Sequence, residues 1–274
     1  MIRFRGRAAV GSFQPLILFA LATILALGLG GCAAVAPPHA AEPPAPEWDS
    51  SQLIESIKQR DEMFRSLRAL AQVDYAGPEG KHGFQEAVIV QRPDRLRLET
   101  LTFLGAILIF TANDREILGY HPREGVFVRA QPTRENLRRY TQIPLELREI
   151  TMLLMGLPPI DTDAPWKQEG NTLIFVANGR ARDALTFEAH EPVPTRWERF
   201  NADGKGELSA QLSDYVATAA GLFPRLIRLE SPSQKKKLSM RYQEPELNPT
   251  PASDLFTQQI PAHAKEVPIE AVGD

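Results

Sequence analysis

The sequence contains a single cysteine, Cys32, among its 274 residues. One cysteine cannot close a disulfide within the chain, so its reactive thiol requires another explanation. An excess of basic residues is also absent, because 31 Lys and Arg stand against 34 Asp and Glu, for a formal net charge of −3. This balance excludes a polybasic nucleic-acid-binding protein, and the 43% apolar content excludes a disordered chain.

Signatures of catalysis are missing as well. The chain has no Gly-x-Ser-x-Gly nucleophile turn and no Gly-rich phosphate loop before a lysine. Its five histidines are scattered, without a second ligand type at metal-like spacing. We therefore expect a protein that is not an enzyme and that holds no metal and no dissociable cofactor.

Residues 1–31 have the layout of a secretory signal peptide. Met1 to Arg7 is basic without an acid, and Pro15 to Leu29 is an uncharged apolar run that closes on small residues. A retained membrane anchor is the alternative, but the run is at or below the roughly 17–20 residues that a spanning helix needs. Without residues 1–31, which hold three arginines, the formal net charge is −6.

The segment Leu29-Gly-Gly-Cys32-Ala33 resembles the bacterial lipobox. The resemblance implies that Cys32 is diacylated on sulfur and becomes the acylated N-terminus of the mature protein. Ala33 stands where an aspartate would favour retention at the inner membrane, so an outer-membrane anchor facing the periplasm is expected. Residues 32–48 then form the acylated cysteine and an Ala/Pro-rich tether.

A helix followed by two runs of strands is predicted for residues 49–243. Asp49-Ser-Ser-Gln52 reads as a capping box for a helix of about five turns, with Leu53, Ile57, Phe64 and Leu67 on its apolar side. Short alternating segments then indicate strands near 70–76, 84–92, 95–101, 106–112, 116–120 and 125–130. A second run begins at Thr172 and continues through 184–190, 195–200, 207–214, 225–230 and 237–243.

Two further helices are predicted between the strand runs. One is capped at Thr133 and runs to about Tyr140, and the other starts at Pro144 and stops before Gly156. The Pro-rich segment 244–274 is expected to dock in part through Leu255-Phe256. The three consecutive lysines 235–237 fit either a solvated turn or a contact with anionic lipid headgroups.

An apolar pair, Phe103-Leu104, lies between two predicted strands where a polar turn is usual. Either the pair is buried within the sheet, or it is an exposed apolar tip that enters a bilayer or a partner groove. The helix around Leu147 to Leu154 is likewise open to two interpretations, as ordinary core packing or as a lid over a lipid-sized cavity.

The order of helix, six strands, two helices and further strands behind an acylated cysteine resembles the LolA/LolB superfamily, most closely its LolB branch. The residues that carry the resemblance are Arg95 to Gly105, Arg134 to Tyr140, and Leu147 to Met155 with the following Gly-Leu-Pro. It implies a mainly β (α+β) fold, an open β-barrel of about eleven antiparallel strands with a helical plug.

The resemblance also implies a function. Such a protein is a monomer that accepts the acyl chains of lipoproteins from a periplasmic LolA-type carrier and inserts the lipoproteins in the outer membrane. Leu104 corresponds to the family's protruding leucine, and Phe103 replaces its proline. The expected residues of the cavity or lid are Leu96, Leu98, Leu147, Ile150 and Leu154.

Three functions remain open at this stage. A lipoprotein acceptor predicts an empty apolar cavity and an exposed Leu104. A structural or assembly lipoprotein, which would use the fold as a docking scaffold for protein or for another amphiphile, predicts a solid barrel and co-purification with an outer-membrane partner. An acyl-ester hydrolase is the least favoured, because no nucleophile turn is present.

Overall fold

The computed structural model describes residues 48–271. The signal peptide, Cys32 and the tether up to residue 47 lie outside the described residues, as do residues 272–274. The helices of the described part are α1 Ser50–Met63, α2 Arg134–Thr141 and α3 Leu147–Leu154, with 3-10 turns at Ser253–Phe256 and Ile269–Ala271. Within residues 48–271, no helix is long and apolar enough to cross a membrane.

The capping box of α1 is confirmed, but the predicted length of this helix is wrong. The Asp49 carboxylate accepts from the Ser51 N–H at 2.8 Å, and the Gln52 side chain accepts from the Asp49 backbone N–H at 3.1 Å. The helix ends at Met63 because Phe64 takes an extended backbone conformation. Leu67, predicted on the apolar side of this helix, lies in the first strand instead.

The strands form one unclosed sheet in the order β14-β6-β5-β4-β3-β2-β1-β13-β12-β11-β10-β9-β8-β7. Their bounds are β1 Ser66–Gly77, β2 Gly80–Gln91, β3 Arg95–Thr102, β4 Gly105–Ala112, β5 Ile117–His121, β6 Val126–Ala130, β7 Trp166–Glu169, β8 Thr172–Ala177, β9 Arg180–Phe187, β10 Pro194–Phe200, β11 Gly206–Thr218, β12 Gly221–Ser231, β13 Lys236–Leu247 and β14 Lys265–Glu266.

The expected number of about eleven strands is corrected to fourteen within residues 48–271. The twelve segments predicted from the sequence correspond to β1–β6 and β8–β13, whereas β7 and β14 were not predicted. All neighbouring strands pair antiparallel except β14, which lies parallel to β6. The polypeptide therefore meanders through two halves of the sheet, which join where β13 pairs with β1.

The two helices between the strand runs begin and end at local signals. The Thr133 hydroxyl accepts from the Asn136 N–H, which confirms the predicted cap of α2. Helix α3 begins at Leu147 after Glu146, three residues later than the predicted start at Pro144, because Glu146 and Glu149 form the capping box. It stops before Gly156, whose φ of 67° needs the freedom of glycine.

One face of the sheet, here called the inner face, is covered by the three helices. A single core cluster joins side chains of this face, such as Leu96, Leu185 and Trp197, to α1 and α3. The expectation of a plug at the mouth of a barrel is therefore corrected. The helices lie against the inner face of an open sheet, where their apolar sides are removed from water.

The C-terminal segment crosses the opposite, outer face. Phe256 is buried, and its backbone carbonyl accepts from the Asn113 side chain at 3.2 Å. The Gln258 amide donates to the backbone carbonyls of Ile109 and Leu118, and β14 then extends the sheet at β6. The segment thus covers the edge that β6 would otherwise present to solvent.

Candidate functional site

The apolar pair between β3 and β4 is fully presented to solvent. The side chain of Phe103 is 96% exposed and that of Leu104 is 69% exposed. Thr102 pairs with Gly105 at the base of this two-residue turn, and the Thr102 hydroxyl accepts from the Leu104 N–H and donates to the Gly105 carbonyl. The pair is therefore an exposed apolar tip and is not buried in the sheet, whereas the insertion of this tip into a membrane stays a prediction.

Antiparallel pairing divides the turns between two ends of the sheet. The turns β1–β2, β3–β4, β5–β6, β8–β9, β10–β11 and β12–β13 lie at the end that carries Phe103 and Leu104, here called the tip end. The other five turns lie at the far end. Trp48, where the described chain begins, is held at the far end by Asn171 and by the Glu188 carbonyl.

The five residues expected to form a cavity or lid lie on the two sides of one interface. Leu96 and Leu98 come from β3 on the inner face, and Leu147, Ile150 and Leu154 come from α3. All are buried in the core cluster except Leu98, which is partly buried and packs against it. In this conformation α3 packs its own apolar side chains onto the inner face, so these residues lie in or against the core cluster. Their role in binding acyl chains stays a prediction.

A buried ion network fixes α3 to the sheet. Arg199 of β10 donates to Asp183 of β9 at 2.9 Å, to Glu149 of α3 at 2.5 Å and to the Pro159 carbonyl at 2.8 Å. The Trp197 indole N–H also donates to Asp183, at 3.1 Å. Burial opposes the charge on Arg199, but the two carboxylates outweigh it and raise the pKa of the guanidinium above its ordinary value. Arg199 therefore stays charged and links the helix to two strands.

A cleft of about 410 Å³ separates α1 from α3 beside this network. Its walls mix apolar side chains such as Ile57 and Met152 with charged ones such as Arg60 and Arg148. None of the five expected cavity residues lines it.

No protein-family model matches the sequence, and no curated protein matches it. Several solved structures are similar to it. One is a domain from Vibrio parahaemolyticus that is named as an outer membrane lipoprotein-sorting protein. It superposes with a TM-score of 0.51 at 8% identity, over 74% of this chain and 94% of that one. A LolA superfamily protein from Nitrosomonas europaea gives a TM-score of 0.50 at 12% identity, over 75% and 97%. The described domain has a LolA-type fold.

A DUF1329 family protein from Desulfovibrio piger is also similar, with a TM-score of 0.56 at 9% identity over 76% of this chain and 96% of that one. These identities are low, so the similarity establishes the LolA-type fold alone. The finer prediction of a LolB-type receptor is not shown by it. What this chain binds has to be argued from its own residues.

The sequence analysis missed the ionisable side chains of the inner face. Asp183, Arg199 and Glu86 are each at most 6% exposed within this LolA-type domain. Glu86 shares its face of β2 with Val88 and Val90, so the period-two alternation could have placed it inward. The Thr100 hydroxyl donates to Glu86 at 2.9 Å, and burial raises the pKa of this carboxyl to about 7.

This shift predicts a pH-dependent stability. The pKa of Glu86 is higher in the folded than in the unfolded chain. The contribution of this carboxyl to the free energy of unfolding is therefore complete below pH 4.5 and is lost as the pH rises through 7. We expect the wild type to lose roughly 3 kcal/mol of unfolding free energy from this group over that range. Glu86→Gln should flatten the dependence, as urea unfolding at several pH values would measure. Equal pH profiles for the two proteins would contradict the assignment.

Proposed function

We propose that this protein is an outer-membrane-anchored lipoprotein that accepts acylated lipoproteins from a periplasmic LolA-type carrier and passes them into the membrane. The observation that carries the proposal is the exposed Phe103-Leu104 tip on a LolA-type fold. Acylated Cys32 would supply the anchor, because several acyl chains hold a protein on a bilayer far more firmly than one chain does. The proposed transfer involves no bond making or breaking, so the protein acts without catalytic residues.

The energy balance allows acyl chains to displace α3 from the inner face. Burying methylene groups gains about 0.8 kcal/mol each, so a palmitoyl-length chain gains on the order of 10 kcal/mol. Breaking the contact between Glu149 and Arg199 costs about 3–5 kcal/mol for a buried pair. Several acyl chains therefore gain more than the ion pair costs to break, and the apolar burial of α3 is retained if Leu147, Ile150 and Leu154 line the cargo instead of the sheet.

A transfer assay tests the proposal. The mature chain with Cys32→Ser is mixed with radiolabelled lipoprotein held by a LolA-type carrier, and the label is followed by affinity separation of the two proteins. We expect the label to move to this chain, and the same lipoprotein without acyl chains to bind neither protein. If folded protein receives no label while a control acceptor does, the receptor function is wrong.

The filled inner face favours a second candidate function. A structural or assembly lipoprotein needs a solid domain, and in this conformation apolar side chains of α3 belong to the core cluster of the inner face. Stable co-purification with an outer-membrane protein, together with failure of the transfer assay, would support this alternative. Contact of the exposed tip with lipid would distinguish the candidates, because a scaffold that binds only protein has no need of it.

A further inference from the structure

A basic side chain is fixed at the base of the apolar tip. Arg123, in the β5–β6 turn, donates to the Thr102 hydroxyl at 2.8 Å. The same hydroxyl bonds to the Leu104 N–H and the Gly105 carbonyl, so the guanidinium is attached to the hydrogen-bonded frame of the turn. Arg123 is exposed, as are Phe103 and Leu104. The Arg123 guanidinium therefore lies at the base of the turn, and the apolar pair lies at the tip of the same turn.

No carboxylate within residues 48–271 forms an ion pair with Arg123, although several other arginines of this range are paired with acids. Only one guanidinium N–H group is used by Thr102, so further donors are free for an external acceptor. Phosphate oxygens match the planar fork of arginine, and an arginine beside apolar side chains suits the level of phosphates at a bilayer surface.

The two ends of the sheet differ in charge. Counting each turn with one strand residue on either side, the tip end holds five basic and three acidic residues. The far end, counted in the same way, holds three basic and six acidic residues. An anionic lipid surface therefore attracts the tip end and repels the far end, although the chain as a whole is acidic.

The length of chain before the described domain is sufficient for this orientation. Sixteen peptide steps separate Cys32 from Trp48, and they reach at most about 55 Å. Strand β1, with twelve residues, is about 40 Å long at 3.3 Å per residue. Although Trp48 is bound at the far end, the tip can therefore reach the membrane that would hold Cys32.

We infer that Arg123 binds the phosphate groups of phospholipids in that membrane while Phe103 and Leu104 enter its acyl layer. The inference rests on the proposed function, which supplies the lipid anchor and the role of the tip. It adds a positioning and lipid-selecting residue, because the cation sets the depth of the tip and favours anionic lipid. Thr102 holds the guanidinium in place for this contact.

Vesicle binding tests the inference. The mature chain with Cys32→Ser is floated with vesicles of phosphatidylcholine alone and of phosphatidylcholine mixed with phosphatidylglycerol. Arg123→Gln should bind the mixed vesicles about fivefold more weakly, the effect of one basic residue at an anionic surface. Arg115→Gln is the matched control, because Arg115 is equally exposed in the β4–β5 turn at the far end. It should bind as the wild type does.

Three further arms separate the possible failures. Arg123→Lys keeps the positive charge without the planar fork, so it should bind more tightly than Arg123→Gln and more weakly than the wild type; a loss equal to that of Arg123→Gln would show that the charge does not act on lipid and would overturn the inference. Release from the vesicles by inorganic phosphate at a concentration where sodium chloride of equal ionic strength has no effect would indicate a site that prefers free phosphate and would also overturn it. If Leu104→Glu loses binding while Arg123→Gln does not, the inference about Arg123 is wrong and the proposed function stands. If neither variant loses binding, the tip itself does not contact lipid.

Discussion

Leu104→Glu should reduce delivery of lipoprotein to liposomes at least tenfold while leaving its acceptance from the carrier unchanged. Burial of a leucine side chain is worth about 1.5–3 kcal/mol, and a carboxylate at the same position resists entry into the acyl layer. The variant should fold normally, because the wild-type side chain is 69% exposed and the turn places no demand on it. Release of labelled cargo into sedimented liposomes measures the effect.

Met63→Glu is the matched control for this substitution. Met63 is 45% exposed at the end of α1, next to the start of β1 at the far end of the sheet. The same gain of charge at this position should leave delivery intact. Loss of delivery in both variants would show a general effect of charge, and loss of acceptance in Leu104→Glu would place the tip in cargo binding instead of membrane contact.

Arg199→Met should lower the free energy of unfolding by about 3–5 kcal/mol. The substitution leaves Asp183, whose side chain is 4% exposed, without its buried counter-charge, and it releases Glu149 of α3. Arg196→Met, on the outer face of the same strand, removes a partly exposed pair with Glu198 and should cost less than about 1 kcal/mol. Urea unfolding of the two variants gives the comparison.

A milder variant separates global stability from release of the helix. Glu149→Gln keeps the shape of the side chain and removes one charge from the network. We expect amide exchange to speed up in α3 before it does in β1 or β13, and binding of acylated peptide to tighten, because a larger share of the protein is open. Uniformly faster amide exchange across the whole domain, with unchanged binding of the acylated peptide, would show that the ion network does not specifically hold α3 on the sheet.

Features that depend on neighbouring residues were predictable from the sequence. The Asp49 capping box and the Thr133 cap each involve residues within four positions of each other, so the fold of the rest of the chain does not alter them. The dipeptide Asn178-Gly179 is typical of a two-residue turn, and both residues have the positive φ that this turn requires. Twelve strands were located for the same reason, since alternation and turn residues are local.

Features that depend on distant partners were not predictable. Strand β7, Trp166–Glu169, has no apolar alternation and is defined by its pairing with β8. Arg199 contacts residues of β9 and α3 and the Pro159 carbonyl, which are far apart in the sequence. No spacing of residues therefore predicts these contacts. The exposure of Phe103 was equally undetermined, because a short apolar run has the same pattern at a tip and within a sheet.

Equilibrium binding of an acylated peptide is the most direct test of the central claim that the inner face receives acyl chains. The mature chain with Cys32→Ser is titrated with a triacylated lipopeptide and with the same peptide without acyl chains. The account predicts binding of the acylated peptide alone, tightened by Glu149→Gln. Absence of binding, or equal binding of the two peptides, would contradict it and favour a protein-docking scaffold.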